Sequence, residues 1–249
     1  MNGLAIPAAL LQMVIIPAVA VLAIVGIWYS HQQAKKRREA LAAFAAEHGL
    51  AFNATRDGSH SDRYPQFGVF RRGHSRSASN TMTGTVEIDG RRFGLRLGDY
   101  TYKVTSGSGK NRSTTTYRLS YLIAHVPFGG VPNLSIRREH WGDKLASVFG
   151  VDDIDFESES FSRRFHVSSR DKRFAYDVIH QRMMEFLMAS DPPTFELDGG
   201  ACLISTGTRR WSAEEFRAKL SWLWEFFDRW PEHLTRELDE RSGLTARRA

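Results

Sequence analysis

Length, composition and charge describe an ordinary globular chain with one unusual end. The sequence has 249 residues, of which 42% are hydrophobic and 25% charged, and its formal net charge is +6. These values exclude a collagen, a disulfide-stabilised miniprotein and a fully disordered chain. Because Cys202 is the single cysteine, no internal disulfide can form, which favours a reducing compartment.

The N-terminal end predicts a transmembrane helix. The first 30 residues contain no Asp, Glu, Lys, Arg or His. As a helix, the apolar run from Leu4 to Tyr29 reaches ~39 Å, which exceeds the ~30 Å hydrocarbon core of a bilayer. Trp28 and Tyr29 lie where an interfacial aromatic belt belongs. A cleaved signal peptide is disfavoured, because its basic residues would precede the apolar run.

Four basic residues follow the apolar run: Lys35, Lys36, Arg37 and Arg38. Positive charge beside a spanning helix stays on the cytoplasmic side. We therefore expect a single-pass protein of the inner (cytoplasmic) membrane, with the N-terminus outside and the C-terminal domain in the cytosol. The lipid bilayer is the expected partner, and the four side chains are candidates for binding lipid headgroups at ~1 kcal/mol each. Near charge balance elsewhere argues against nucleic acid as a partner.

The segments after the anchor predict a helix and then a series of strands. A juxtamembrane helix over 31–49 carries Leu41, Phe44 and Ala45 at helical spacing and ends at Gly49. Asp89-Gly90 predicts a two-residue hairpin, and the glycine-rich stretch 106–111 predicts a hairpin tip. Strand patterns are found at 50–54, 67–71, 85–88, 92–97, 100–104, 114–126 and 134–136.

The C-terminal half contains most of the predicted helices. They occupy 141–150, 172–189 with Asp171 as its cap, and a last helix from Ser212 that Pro231 stops or kinks. Residues 153–167 look extended, and 198–200 predict a second hairpin turn. The class is α+β, an N-terminal transmembrane helix followed by a cytosolic antiparallel β-sheet domain with packing helices. The predicted parts are an anchor (1–30), a juxtamembrane helix (31–49), the α+β domain (50–241) and a disordered tail (242–249).

Acidic residues alternate in one segment: Asp153, Asp155, Glu157 and Glu159. On a strand these side chains would share one face, and converging carboxylates are what a hard metal cation needs. A calcium loop does not fit, because Ser158 and Arg164 occupy the positions of its glycine and its closing glutamate. The segment is therefore either a metal site or a solvated face that pairs with nearby arginines.

No other motif predicts catalysis. Gly109-Lys110 lacks the spacing of a phosphate loop, and the histidines match no zinc or metalloprotease pattern. Cys202 lies in an apolar strand, where an inert buried thiol is expected. We therefore expect no catalytic residue and no cofactor.

The last helix carries aromatic residues on two sides. One stripe is formed by Phe216, Leu220, Leu223, Phe227 and Trp230. Trp222 and Phe226 project from the far side, so a second surface has to cover them. Another part of this chain is one candidate. The other is a protein partner or a second copy of the chain, in which case Trp222 and Phe226 form an interface.

Several segments together resemble a bacterial family of uncharacterised membrane-anchored proteins. These segments are the N-terminal anchor with Leu41, Phe44, Ala45 and Gly49, then 98–102, 134–139 and 153–156 with Phe161 and Phe165. The similarity covers most of residues 35–205. It implies a shared fold and membrane anchoring, and it supplies no activity.

The sequence thus predicts a membrane-anchored cytosolic module that binds or scaffolds an unknown ligand. The alternative is a membrane-tethered, metal-dependent hydrolase that uses the acidic segment 153–159. A lipid-binding module at the inner leaflet is a third hypothesis.

Overall fold

The computed structural model describes residues 8–88, 90–138, 154–190 and 192–246, and the side chains within 17–243 of these ranges. The helix predicted at 141–150, Asp153 and the hairpin residue Asp89 lie outside the described residues. The structure is α+β, as predicted, with an antiparallel sheet and helices packed on it.

Helix α1 (Ala8–Glu47) continues without a break from the apolar segment into the domain. It ends before Gly49, whose φ of 66° is the left-handed conformation that a glycine after a helix adopts without steric cost. Near this end, Leu41, Phe44 and Ala45 are buried in the core. In the part of the chain that the structure describes, no helix has the combined length and apolar character required to cross a membrane.

Within the described residues, eight strands form one sheet in the order β1-β2-β3-β4-β8-β7-β5-β6. Each strand pairs antiparallel with its neighbours. The strands are β1 (Ala51–Asn53), β2 (His74–Ile88), β3 (Arg91–Ser106), β4 (Ser113–His125), β5 (Leu134–Arg138), β6 (Phe165–Ser168), β7 (Thr194–Asp198) and β8 (Ala201–Ser205). The β7–β8 hairpin turns at Gly199 and Gly200, both at positive φ, as the sequence predicted.

The remaining α-helices in the described residues are α2 (His60–Arg63), α3 (Glu159–Ser162), α4 (Lys172–Val178), α5 (Gln181–Ala189), α6 (Ala213–Asp228) and α7 (Glu232–Ala246). The predicted caps are present. Asp171 accepts a hydrogen bond from the Phe174 amide, and Ser212 with Glu215 forms a capping box. Pro231 lies between α6 and α7, where it interrupts the helix.

Three local predictions outside the acidic segment are wrong. Residues 68–71 form a 3₁₀ turn, because Val69 and Phe70 fold over the sheet instead of joining it. The helix predicted over 172–189 divides into α4 and α5 at Ile179. Residues 242–246 continue α7 instead of being disordered, and the Gly129 amide donates to the Ser242 hydroxyl.

The sheet has a core on each face. The larger core lies under the helices and includes buried residues of α1, α4, α5, α6 and α7. The smaller core lies on the other face, where segment 57–72 packs over β2, β3, β4 and β8. Its largest side chains are Tyr64, Phe67, Phe70, Tyr100 and Tyr121.

Candidate functional site

An ion pair between the partly buried Arg37 and the buried Asp99 joins α1 to the sheet. Arg37 Nε donates to Asp99 Oδ2 at 2.7 Å and Arg37 Nη2 donates to Asp99 Oδ1 at 2.6 Å. Arg37 Nη1 donates to the backbone oxygen of Trp211 at 2.9 Å. The two side chains are 19% and 4% exposed. Arg37, one of the four predicted headgroup residues, is therefore engaged by the domain itself.

Neighbouring polar groups complete the hydrogen bonding of Asp99. Asn80 Nδ2 donates to Asp99 Oδ2 at 3.0 Å, and Ser120 Oγ donates to Asp99 Oδ1 at 2.8 Å. Asn80 lies in an irregular part of β2 with φ of 50°. Its carbonyl oxygen would lie 3.2 Å from a Cβ at Gly98. A carboxylate with so many fixed donors is suited to hold two elements together. We call Arg37, Asp99, Asn80 and Ser120 the α1 joint.

The other three residues of the basic cluster lie on the surface of α1. Lys35, Lys36 and Arg38 are exposed. Lys35 Nζ is 3.9 Å from Glu39 Oε1, which is a loose surface pair. These three side chains, unlike Arg37, keep their charge facing outward.

The β3–β4 hairpin continues beyond the α1 joint as a basic arm, defined here as residues 101–118. Within the described residues, β8 pairs with β4 only from Tyr121 onward, so residues 113–118 form a free strand edge there. Its charged side chains are exposed: Lys103, Lys110, Arg112 and Arg118. Among the described residues, none of these four forms an ion pair with a carboxylate.

The strand register brings the base of the arm close to the α1 joint. Side chains alternate along β3, so Lys103 lies on the same face as Asp99, and Arg118 pairs with Thr101 on that face. Burial lowers the pKa of Arg210 against the attraction of Asp99, and the guanidinium groups of Arg37 and Arg118 lower it further. Positive charge is therefore concentrated where α1 leaves the domain.

Sequence reasoning missed the basic arm, because it averaged charge over the whole chain. The overlooked signal is an absence of acidic residues: neither 63–86 nor 100–138 contains Asp or Glu. Only the fold shows that these two segments are neighbours, as β2 pairs with β3 and β3 with β4.

The acidic segment does not form the predicted strand. Residues 154–158 are irregular, and Glu159 begins α3. Asp155, Glu157 and Glu159 are exposed, and Glu159 pairs with Arg163 at 3.4 Å. Within the described residues, no three His, Cys, Asp or Glu side chains are grouped as metal ligands. Burial of Ile154 and Phe156 determines the path of this segment.

Trp222 and Phe226 are covered by the chain's own strands and helices, which corrects the interface prediction. Their exposed fractions are 8% and 0%. The Phe226 ring is 4.6 Å from the ring of Phe195 on β7, and Trp222 stacks on Phe186 of α5 at 5.8 Å. Trp222 Nε1 donates to Ser190 Oγ at 3.2 Å. The second surface that these aromatics require is thus part of the same domain.

A histidine in the smaller core is buried without a hydrogen-bond partner among the residues that the structure describes. His60 lies among the rings of Tyr64, Phe70, Tyr100 and Tyr121 at 4.6–5.6 Å, and neither ring nitrogen has a partner. Burial lowers the pKa of His60 to about 3. The ring is therefore neutral at physiological pH and acts as part of the aromatic packing.

Glu196 on β7 is a buried carboxyl group on the same face of the sheet. Its Oε2 atom has no hydrogen-bond partner in the described part of the chain. Burial raises its pKa from 4.5 to about 7, although Arg72 and Arg71 oppose the shift. A carboxyl group with this pKa exchanges its proton near neutral pH.

Replacing Glu196 with glutamine is expected to raise the free energy of unfolding near pH 8 by about 1–3 kcal/mol. Folding raises the pKa of Glu196, so its stabilising contribution to the free energy of unfolding is complete below about pH 4.5. That contribution is lost as the pH rises through about 7. Urea denaturation near pH 8 and near pH 4 measures the difference, which should vanish at the acidic pH. An equal effect at both pH values would contradict this account.

His60 provides the matched control for that experiment. Its folded pKa is depressed, so its contribution is present above about pH 6.5 and is lost as the pH falls towards 3. The effect of His60→Phe on the free energy of unfolding should therefore depend on pH in the acidic range. It should not depend on pH around 8, where the effect of Glu196→Gln is measured.

An open groove of about 870 Å³ lies between the start of α5 and the α6–α7 turn. Its lining includes Arg182, Arg229, Glu185 and Asp228, so both signs of charge are present. His180 Nε2 hydrogen-bonds to the backbone oxygen of Arg229 at 2.9 Å, so this imidazole connects the start of α5 to the end of α6. This mixture of groups defines no ligand class.

The fold and the α1 joint define an α+β protein whose long N-terminal helix is fixed to one face of an antiparallel sheet. No protein-family model and no curated protein sequence matches the chain. Among solved structures it is similar to the crystal structure of the mycobacterial trehalose monomycolate transport factor A, TtfA, with a TM-score of 0.48 and 14% sequence identity. The match covers 77% of this chain and 92% of that chain. A likeness at this level does not bear on what this chain binds, and the resemblance to a membrane-anchored family stays a prediction.

Proposed function

We propose that this protein is a membrane-anchored binding or scaffold module. In this proposal α1 anchors the chain in the inner membrane and holds the cytosolic sheet domain at a set distance from it. The observation that carries the proposal is the continuity of α1. One end of this helix exposes apolar side chains, and the other end is buried in the core of the domain.

The stretch 19–29 of α1 is exposed and apolar on all sides. Apolar and aromatic side chains between Val19 and Tyr29 are 54–71% exposed. Successive residues are ~100° apart, so neighbours such as Ile27 and Trp28 face different directions. A helix that is apolar on all sides belongs in a protein core or in a bilayer. The absence of charge from the first 30 residues favours the bilayer.

The α1 joint supports a scaffold role over a loose tether. Arg37 follows Tyr29 by eight residues, so the joint lies about 12 Å along the helix from the interfacial aromatics. Helical residues transmit orientation, whereas a flexible linker of the same length would not. Lys35, Lys36 and Arg38 flank the apolar run on this side, which supports a cytosolic domain and an external N-terminus.

Membrane extraction of the full chain tests the anchor. We expect the chain to stay in the membrane pellet after an alkaline carbonate wash and to dissolve in detergent. Val21→Lys with Ile24→Lys should move it to the soluble fraction, since each charge near a helix centre costs about 2.5–3.5 kcal/mol on insertion. Val21→Leu with Ile24→Leu is the control and should remain in the pellet.

Two outcomes would contradict the proposal. One is a full chain that washes off the membrane as readily as the lysine variant. The other is a C-terminal reporter, active only outside the membrane, that gives a signal. The first result would reject α1 as an anchor, and the second would reject the cytosolic placement of the C-terminal domain.

A further inference from the structure

We propose that the basic arm is a second membrane contact, which binds the anionic headgroups of the bilayer in which α1 is anchored. This inference rests on the proposed function, because it uses the bilayer that α1 would enter. It is supported by the direction of the arm, its reach and its charge.

Two contacts along α1 establish the direction of the arm. Near the end of α1, the Ala45 carbonyl accepts from the Leu50 amide, and Leu50 packs at Gly84, which pairs with Leu95. Further towards the N-terminus, Arg37 contacts Asp99. The direction towards the N-terminus of α1 is therefore also the direction towards the C-terminal end of β3. The part of β3 beyond Asp99 projects towards the apolar end of α1.

The arm is long enough to reach the plane where α1 meets the membrane. From Tyr29 to Arg37 the helix rises about 12 Å, and from Asp99 to Ser106 the strand advances about 23 Å. An arm inclined to the helix axis by up to roughly 55° therefore reaches the level of Tyr29. The tip of the hairpin, residues 107–112, extends further.

The chemistry of the arm fits a layer of phosphate groups. Its exposed charges are basic: Lys103, Lys110, Arg112 and Arg118. Ser113, Thr114 and Thr115 add exposed hydroxyl groups beside them. Lysine and arginine donate to phosphate oxygens, and near an anionic surface each such residue is expected to favour the bound state roughly fivefold.

Exposed basic residues on a β-hairpin can also serve two different purposes. On a free strand edge they discourage pairing with another chain, and a basic strand pair also attracts nucleic acid. Neither of these roles depends on the direction of the arm. The arm points to the side from which α1 leaves the domain, and this favours the membrane as the surface that the arm binds.

A fluorescent label at the hairpin tip tests the inference in the full chain. Ser108→Cys would carry an environment-sensitive fluorophore in nanodiscs of phosphatidylcholine, alone or mixed equally with phosphatidylglycerol. Cys202 will not compete for the label, because it is buried and burial raises its thiol pKa to about 12. Arg92→Cys is the matched control, since it lies at the opposite end of β3 and its side chain is 80% exposed.

We expect the Ser108 label to shift to shorter wavelength and to be quenched by spin-labelled lipid only when phosphatidylglycerol is present. High salt should reverse the shift. Lys110→Gln with Arg112→Gln should lower the ratio of docked to free arm roughly 25-fold. Arg170→Gln with Arg236→Gln removes the same charge from exposed positions outside the arm and should have no effect.

Several results would overturn the inference. One is a Ser108 label that does not respond to phosphatidylglycerol, and another is an equal response from the label at Arg92. A response to added duplex DNA but not to lipid would also overturn it, as would self-association of the Lys110→Gln, Arg112→Gln variant without any effect of lipid. Co-elution of the chain with nanodiscs is scored separately. Its failure would reject the anchor and the arm contact together, whereas co-elution without a lipid response rejects the arm contact alone.

Discussion

Asp99→Ala is expected to lower the free energy of unfolding of the domain by about 3–5 kcal/mol, because it leaves the partly buried Arg37 guanidinium without its counter-charge. Arg37→Ala should lower the free energy of unfolding by a similar amount, because it leaves the buried Asp99 carboxylate without its counter-charge. Replacing both together, as Arg37→Met with Asp99→Leu, should recover most of the loss, since buried ion pairs are often replaceable by apolar groups. Urea denaturation of the full chain in detergent measures all three variants.

The chain offers a matched control on the surface. Arg217 and Glu47 form a 2.7 Å ion pair that also connects α6 with α1, but their side chains are 47% and 57% exposed. Arg217→Ala should therefore cost no more than about 1 kcal/mol. If Asp99→Ala were equally mild, the α1 joint would not be what fixes the helix to the domain.

The joint also has a consequence for hydrogen exchange. In the native chain, amides near Arg37 should exchange slowly because the helix is held against the sheet at Asp99 and Trp211. The Asp99→Ala variant should exchange faster there while β4 and β8 remain protected. Uniform acceleration across the sheet would instead indicate global destabilisation.

Phe226→Ala is expected to cost about 3–5 kcal/mol, because the ring is fully buried and its removal leaves a cavity against Phe195. Trp222→Ser with Phe226→Ser should be more destabilising still, and the protein that remains folded should keep its oligomeric state. Denaturation and sedimentation of the detergent-solubilised chain measure the two properties separately.

An exposed aromatic residue serves as the control for this pair. Tyr176 is 48% exposed, so Tyr176→Ala should have a much smaller effect on stability. A loss of association without a loss of stability in the Trp222 and Phe226 variants would restore the interface hypothesis. The burial of both side chains leads us to expect the opposite.

Local signals in the sequence predicted much of the secondary structure. The turn at Gly199 and Gly200, the cap at Asp171 and the capping box of Ser212 and Glu215 all depend on residues a few positions apart. The strand pattern at 67–71 failed for a different reason. Its apolar residues serve to cover the smaller core, and alternation alone does not reveal which surface a side chain will meet.

The candidate site depended more heavily on contacts between distant parts of the chain. Four consecutive basic residues after an apolar run indicated a function at the membrane surface, but Arg37 meets Asp99, which lies 62 positions away. No spacing rule separates Arg37 from Arg38, because only the docking angle of α1 decides which guanidinium faces the sheet. The basic arm was visible only as missing acidic residues until β2, β3 and β4 were seen to pair.

By itself, the sequence determined the α+β class, the long N-terminal helix, the caps and the hairpin turns, because these follow from hydrophobic periodicity and backbone preferences within a few residues. Tertiary structure alone decided that Trp222 and Phe226 belong to the core and that Asp155, Glu157 and Glu159 are exposed and lie outside any strand. It also decided that Arg37 is partly buried against Asp99. The physical reason is that burial and ion pairing are properties of surfaces brought together by the fold. Those surfaces come from β7, α5 and β3, far along the chain from the residues they cover.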